Sequence, residues 1–329
     1  VVMETNAGWR PTASHDVLKL RATVLARIRS FFAAHDVLEV DTPALSHAAS
    51  TDPALASFTT SYSGPGAAES ERCYLHTSPE FPMKRLLAAG SGSIYQLCKV
   101  FRDGEQGARH NPEFTLLEWY RTGMDYRALM REVVELCRQA AAGVAGWGET
   151  REITYAEAMA RVGVDHEHDD AAQLAACLRT AGVDVPEAVR GDRGALLDLV
   201  MSTRVEPGFD PRRPTIIYDF PPDQAALARI RPSSPPVAER FEVFLGGMEL
   251  ANGFGELTDA AEQRARFERD RARRSARGQR PVPMDESLLA ALEHGLPACS
   301  GVALGFDRLV MAVAGMCDIS GVLAFPAEL

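Results

Sequence analysis

Twice in this chain an extended, strand-forming run turns back directly into a second one. SIYQLCKVFR at 93–102 passes through the polar loop DGEQGARHNP into EFTLLEWYR at 113–121. FEVFLGGMELANGFGEL at 241–257 does the same about the pair Gly246 and Gly247. Two glycines between β-forming runs mark a tight hairpin, and a longer loop bearing glycine closes a wider one. Hairpin strands pair antiparallel, so whatever else the chain builds must accommodate an antiparallel sheet. Helical periodicity surrounds these pairs. In residues 16–35, Leu18, Val24, Leu25, Ile28, Phe31 and Phe32 recur at helical spacing. EFPMKRLLAAG at 80–90 reads as a helix closing on Gly90, and 125–142 carries a helical pattern. DVLEVDTP reads as a short strand stopped by Pro43, and TIIYDFP as a buried strand. Hairpins with helices between them predict an α+β fold, an antiparallel β-sheet flanked by helices. No linker divides the chain, so residues 1–329 are expected to form one domain.

Side chains alternate across a strand. Gln96, Cys98, Val100 and Arg102 therefore share one face of the first hairpin, as do Phe114, Leu116, Glu118 and Tyr120. If the two faces coincide, one surface carries a cation, an aromatic plate, an acid and a phenol, with Arg109, His110 and Asn111 in the loop beside it. A purely structural hairpin does not need that set; a ligand both anionic and planar would. In the second hairpin Glu249 and Glu256 flank the small-residue run ANGFG. Two carboxylates beside a phosphate site suit Mg²⁺, while the plainer reading is two surface glutamates on a turn. Near the C-terminus, CSGVALGFDRLVMAV sets Arg308 behind Gly301, Ala303 and Gly305. Small residues permit close approach to the backbone, and an adjacent arginine suits a phosphate or carboxylate.

Composition narrows the partners. The net charge is −10, a poor basis for wrapping nucleic acid. Residues 258–280 run against that average, with eight arginines and four acids. They read as a solvated helix with i,i+4 charge pairs, or as a docking surface for an acidic partner. The six cysteines form no C-x-x-C pair and read as reduced thiols. His166 and His168 sit in an acidic tract that reads as a solvated loop. No apolar run approaches the roughly 20 residues of a membrane span, and VVMETNAGWRPTASHD shows no signal pattern. A soluble cytoplasmic protein is expected.

The segments FRDGEQGARHNPEFTLLEWY and GVALGFDRLVM resemble motifs 2 and 3 of the class II aminoacyl-tRNA synthetases. LARIRSFFAAHDVLEVDTP resembles motif 1, ending on its proline at Pro43. HTSPE at 76–80 and MELANGFGEL at 248–257 are similar to the lysyl-specific forms. The resemblance runs from about residue 16 to 326 and implies a class II catalytic core. Lysyl-tRNA synthetases carry an N-terminal anticodon-binding domain. Only about 15 residues precede motif 1 here, so that domain is not expected. The pattern is similar to the short lysyl-tRNA synthetase paralogues, the elongation factor P–lysine ligases. That family activates (R)-β-lysine with ATP and transfers it to the ε-amino group of a lysine on elongation factor P, with no tRNA. A homodimer through motif 1 is implied.

By resemblance, Arg102 and Arg308 are the catalytic arginines. Arg102 would bind the α-phosphate and the substrate carboxylate, Phe114 would stack under adenine, and Arg308 would lie on its other side and reach the γ-phosphate. His110 and Asn111 would contact the bent triphosphate, with Glu105, Leu250 and Gly305 also on the ATP side. Glu249 and Glu256 would hold Mg²⁺. Ser78, Glu80, Glu118, Tyr120, Asn252, Glu256 and Ala303 would line the amino-acid pocket. Motif 2 usually reads R-x-E; here Arg102 is followed by Asp103, Gly104 and Glu105, one position late, which weakens the role of Glu105. Motif 3 reads G-V-A-L-G-F-D-R where lysyl enzymes read G-x-G-x-G-x-D-R, and the methyl of Ala303 is implied to shift preference from α-lysine to a β-amino acid. The alternatives are a truncated lysyl-tRNA synthetase charging tRNA, a ligase acting on a small molecule, and a catalytically inactive amino-acid-sensing paralogue.

Overall fold

The structure is a computed structural model that describes residues 9–65 and 72–328; the first eight residues of the N-terminal stretch read for a signal pattern lie outside it. Among the described residues, twelve strands and nine α-helices come in this order: α1 (His15–Ala34), β1 (Leu38–Glu39), β2 (Leu45–Ser46), β3 (Thr59–Ser61), β4 (Arg72–Leu75), α2 (Glu80–Ala88), β5 (Ile94–Phe101), β6 (Glu113–Thr122), α3 (Tyr126–Ala141), β7 (Arg151–Thr154), α4 (Tyr155–Ala160), α5 (Ala171–Thr180), α6 (Arg193–Val200), β8 (Pro214–Phe220), β9 (Ile230–Arg231), β10 (Val237–Leu245), β11 (Met248–Gly255), α7 (Ala260–Ala276), α8 (Glu286–Gly295), β12 (Cys299–Gly305) and α9 (Phe306–Ala314). β2, β4 and β3 form a small separate sheet.

Both expected hairpins are present, as β5–β6 and β10–β11, and Gly246 turns the second at φ 59°. β12 lies between them, antiparallel to β6 on one side and to β11 on the other. The large sheet runs β1-β5-β6-β12-β11-β10-β8-β7, with β9 on β10. Its body is antiparallel, as read from the hairpins, but both edges are parallel: β1 joins β5 and β7 joins β8. Leu38 pairs with Ile94 and Arg151 with Thr215, separations along the chain that no hairpin signal can reveal.

One face of the sheet packs on α1, α3 and α9. Phe32, Leu117, Trp119, Phe241, Val302, Leu304 and Phe306 are fully buried there. α1 begins at Ser14, whose Oγ accepts the Val17 N–H, and its Phe32 stacks on Tyr95 at 4.2 Å. The opposite face is roofed at its two ends only. Helices α4–α6 close over β8 and β10 through Tyr155, Leu174, Leu196, Ile217 and Phe244. Helices α2, α7 and α8 close over the other end through Met83, Leu87, Phe267 and Leu288. A trough remains between the roofs, floored by β6, β12 and β11.

The arginine-rich segment is the helix α7, and Arg266 pairs with Glu262 at i,i+4 spacing. Part of it is not solvated. Arg266 is buried and donates to the carbonyls of Ala226 and Ala228, and buried Arg274 donates to those of Asp52 and Leu55. These two arginines pin loops to the helix, which removes them from any docking surface.

Candidate active site

The register across the trough settles which side chains meet. Directly opposed residues on antiparallel strands point to the same face. One cross-strand row runs Gln96, Glu118, Ala303, Asn252, Glu242, and the next runs Ile94, Tyr120, Gly301, Phe254, Arg240. Val100 lies opposite Phe114. The two faces of the first hairpin therefore coincide, and Arg102, just past β5, stacks its guanidinium 5.0 Å from the centre of the Phe114 ring.

Ser78, Glu80, Arg102, Glu118, Tyr120, Asn252, Glu256 and Ala303 line a single cavity of about 290 Å³. Its acids are held by an internal network. Ser78 Oγ and Tyr120 OH donate to the two oxygens of Glu118 at 2.6 and 2.7 Å. Burial pushes Glu118 up to about 8, with Glu80 adding to it. Lys84 is also part of this network, and sequence reading missed it. Its ammonium is 2% exposed and lies 2.6 Å from Glu80 and 2.6 Å from Glu256. Burial opposes its charge, but the two carboxylates outweigh burial and hold its pKa well above the usual value. The signal available in sequence was Glu80 and Lys84 one helical turn apart.

Gly301 explains one small residue of the motif. A Cβ there would stand 2.3 Å from Tyr120 Cε1 and 2.4 Å from Glu256 Oε1. The groups that approach this backbone closely are the protein's own tyrosine and glutamate. Ala303, by contrast, has its methyl on the cavity floor, between Glu118 and Asn252.

Beyond Arg102 the trough carries a second group. Arg308 Nη1 donates to the Glu249 carbonyl at 3.0 Å, and its Nη2 lies 2.7 Å from His110 Nε2. Burial first, and Arg308 next, lower the His110 pKa, so the ring is neutral and accepts from the arginine. At Gly305 a Cβ would meet the Arg308 Cδ at 3.6 Å, an ordinary contact, so packing against Arg308 does not by itself require a glycine there. Glu105 lies 3.5 Å from Arg102 Nη1.

Three expectations need correction. Asn111 is not directed at an open site: its amide donates to the Glu113 carbonyl at 2.5 Å and its oxygen accepts the Ala327 N–H at 2.9 Å. Leu250 buries its side chain in the core on the far face, so only its backbone borders the trough. The cause is a β-bulge: Val243 faces Ala251 while Phe244 faces Glu249, leaving Leu250 unpaired and turning Glu249 to the trough. Glu249 and Glu256, expected together on Mg²⁺, line different cavities. They stand seven residues apart along one extended run, roughly 20 Å at a strand's rise, and Glu256 is committed to Lys84. Glu249 shares its cavity with Glu242, on the neighbouring strand, and with Asp198 and Glu206. Burial, against the pull of Arg240, pushes Glu242 up to about 7, with Glu249 contributing.

Comparison with known proteins follows this geometry. The model of the tRNA synthetases class II (D, K and N) matches residues 6–329. The chain belongs to the class II tRNA synthetase family. It is 52% identical over 98% of its length, and 98% of the relative's, to a Vibrio cholerae protein named elongation factor P–(R)-β-lysine ligase. Proteins of the same name from Pectobacterium atrosepticum and Edwardsiella ictaluri are 47% and 49% identical, each over 99% of both chains. In this class II member one arginine ties the three motifs together. Arg21, on the motif 1 helix α1, bonds Asp307 of motif 3 and Thr115 Oγ1 of motif 2, the latter at 3.0 Å. Asp307 in turn accepts the Thr115 N–H at 2.6 Å.

Proposed function

We propose that this chain is an ATP-dependent, AMP-forming ligase that activates (R)-β-lysine and transfers it to the ε-amino group of a lysine on elongation factor P. The observation that carries the reading is the cavity itself: three of its carboxylates, Glu80, Glu118 and Glu256, lie about a floor that carries the Ala303 methyl. With Lys84 neutralising one of the three, the pocket has charge to offer a substrate with two ammonium groups. Near full-length relatives of that name support it.

In this reading ATP lies along the trough, with adenine against Phe114 and the triphosphate towards His110 and Arg308. Arg102 leaves its stacked position to hold the α-phosphate and the substrate carboxylate. The carboxylate oxygen attacks the α-phosphorus and pyrophosphate leaves, and Arg102 offsets the charge that develops. This is positioning and electrostatics, with no protein nucleophile. The donor set fits Mg²⁺, which binds through one or two carboxylates plus phosphate oxygens; Glu249 would hold it, Glu242 being paired with Arg240, and it would neutralise phosphate charge. In the second step the acceptor amine attacks the acyl carbonyl and AMP leaves. The net charge of −10 agrees with a protein acceptor rather than tRNA. A homodimer would form through motif 1, where Leu38 and Leu45 on either side of Pro43 are more than half exposed.

ATP–pyrophosphate exchange tests the activation half. Exchange is expected to be greater with (R)-β-lysine than with α-lysine and absent with norleucine, which lacks the second ammonium. Ala303→Gly is expected to improve α-lysine relative to β-lysine by about 10-fold, the scale of one methyl. Equal exchange with norleucine would remove the charge argument.

A further inference from the structure

Behind the acidic wall of the amino-acid pocket stands a cation that does not line it. Glu80 and Glu256 border the cavity and Lys84 does not. Lys84 lies one turn after Glu80 on α2, 2% exposed, with its ammonium 2.6 Å from Glu80 Oε1 and 2.6 Å from Glu256 Oε2. An ion buried this deeply is costly unless close partners of opposite charge offset it. Those partners come from different elements, Glu80 from α2 and Glu256 from just past β11, so one cation joins two walls of the pocket.

The oxygens of the three acids are unequally occupied. Each oxygen of Glu118 accepts from the protein, one from Ser78 and one from Tyr120. Glu256 gives Oε2 to Lys84, and its Oε1 lies against the Gly301 backbone. Glu80 gives Oε1 to Lys84, and among the described residues nothing donates to its Oε2. That oxygen is left for a ligand, on a carboxylate whose direction Lys84 sets. The other ionisable groups near this pair are Glu118 and Tyr120 on β6 and Cys299 on β12. Helix α8, which packs on α2, brings only the apolar Leu288, Leu289 and Leu292 into the cluster there.

Resting on the function proposed above, we infer that Lys84 is a positioning residue of the amino-acid site: a fixed cation that draws Glu80 and Glu256 together from behind and leaves Glu80 Oε2 for a substrate ammonium. Lys84 also sets the charge that the pocket offers. Without it, the three carboxylates exceed a diammonium substrate by one charge; with it, the two match. Losing the cation leaves a buried carboxylate unpaired, and burial then favours its protonated form, which does not attract an ammonium.

Lys84→Met keeps a flexible stem and removes the charge; Lys84→Arg keeps a charge and carries the test if the first does not fold. ATP–pyrophosphate exchange is measured at varied amino acid and at varied ATP. Lys84→Met is expected to raise the KM for (R)-β-lysine about tenfold or more, the weight of one pKa unit, and to leave the KM for ATP within about twofold. A general loosening of the fold would move both. The amino-acid KM of Lys84→Met is also expected to go on falling from about pH 8 to 9, where the parent has levelled off, because carboxylates deprived of their cation ionise at higher pH. Lys84→Arg is expected to raise the amino-acid KM by about threefold, again with ATP unaffected, and to level off with the parent. An unchanged amino-acid KM in whichever variant folds, a KM for ATP that rises in step, or a Lys84→Met profile that levels off with the parent overturns the inference. If the parent gives no exchange with (R)-β-lysine, the function proposed above fails, and calorimetric titration with (R)-β-lysine alone decides the role of Lys84. Affinity about tenfold weaker in Lys84→Met then supports it; equal affinity, or no binding by the parent, overturns it.

Discussion

Glu118 carries the sharpest consequence at the scale of single residues. Its carboxyl is wholly buried and keeps its proton up to about 8, whereas a free glutamate loses it near 4.5. Acid therefore removes, over an unusually high pH range, the ionised form to which an ammonium substrate binds. The KM for the diammonium substrate is expected to fall roughly tenfold per pH unit from pH 6, because each unit below the pKa costs a factor of ten in ionised form, and to level off near pH 8. Glu118→Gln should bind weakly and show no slope. A KM independent of pH between 6 and 8 in the parent would contradict this. The identities of Ser78, Glu80, Glu118, Tyr120, Asn252 and Ala303 were readable from motifs, and the structure gathers them in one cavity. Lys84 was not readable as a pocket residue, because a lysine one turn from a glutamate looks the same on any solvated helix. Its burial depends on Glu256, which is far away in sequence.

Among elements, local signals were legible and distant pairings were not. Turn glycines and alternation located both hairpins. The insertion of β12 between them, the parallel edges and the α4–α6 roof depend on contacts that no local pattern encodes. The bulge at Val243 and Phe244 belongs to the same class: it reverses the facing of Glu249 and Leu250, so a reading by strict alternation misplaces both. The join between elements rests heavily on Arg21. Asp307 is 1% exposed and is bonded by Arg21 and by the Thr115 N–H. Arg21→Met leaves that carboxylate buried with its cationic partner gone, which costs about 3–5 kcal/mol. Urea denaturation is expected to show a loss of that size, and a loss under about 1 kcal/mol would mean that the arginine is not what joins the motifs.

At the scale of the whole molecule the sheet divides the work between its faces. One face is a closed apolar core. The other is roofed at both ends and open between, which places the amino-acid cavity and the cavity of Glu242 and Glu249 side by side over the same strands. The motif 1 edge is different: Leu38 is 57% and Leu45 is 53% exposed, an apolar pair on either side of Pro43. If a second copy covers them, Leu38→Glu should shift sedimentation from dimer towards monomer; sedimentation unchanged by the substitution would place the dimer contact elsewhere. The proposed reaction is defined by where the activated amino acid goes. The measurement that tests this most directly is to incubate the purified protein with ATP, labelled (R)-β-lysine or labelled α-lysine, and either elongation factor P or bulk tRNA, and to follow the label. Label on elongation factor P, greater with (R)-β-lysine, is the predicted result; label on tRNA would contradict it.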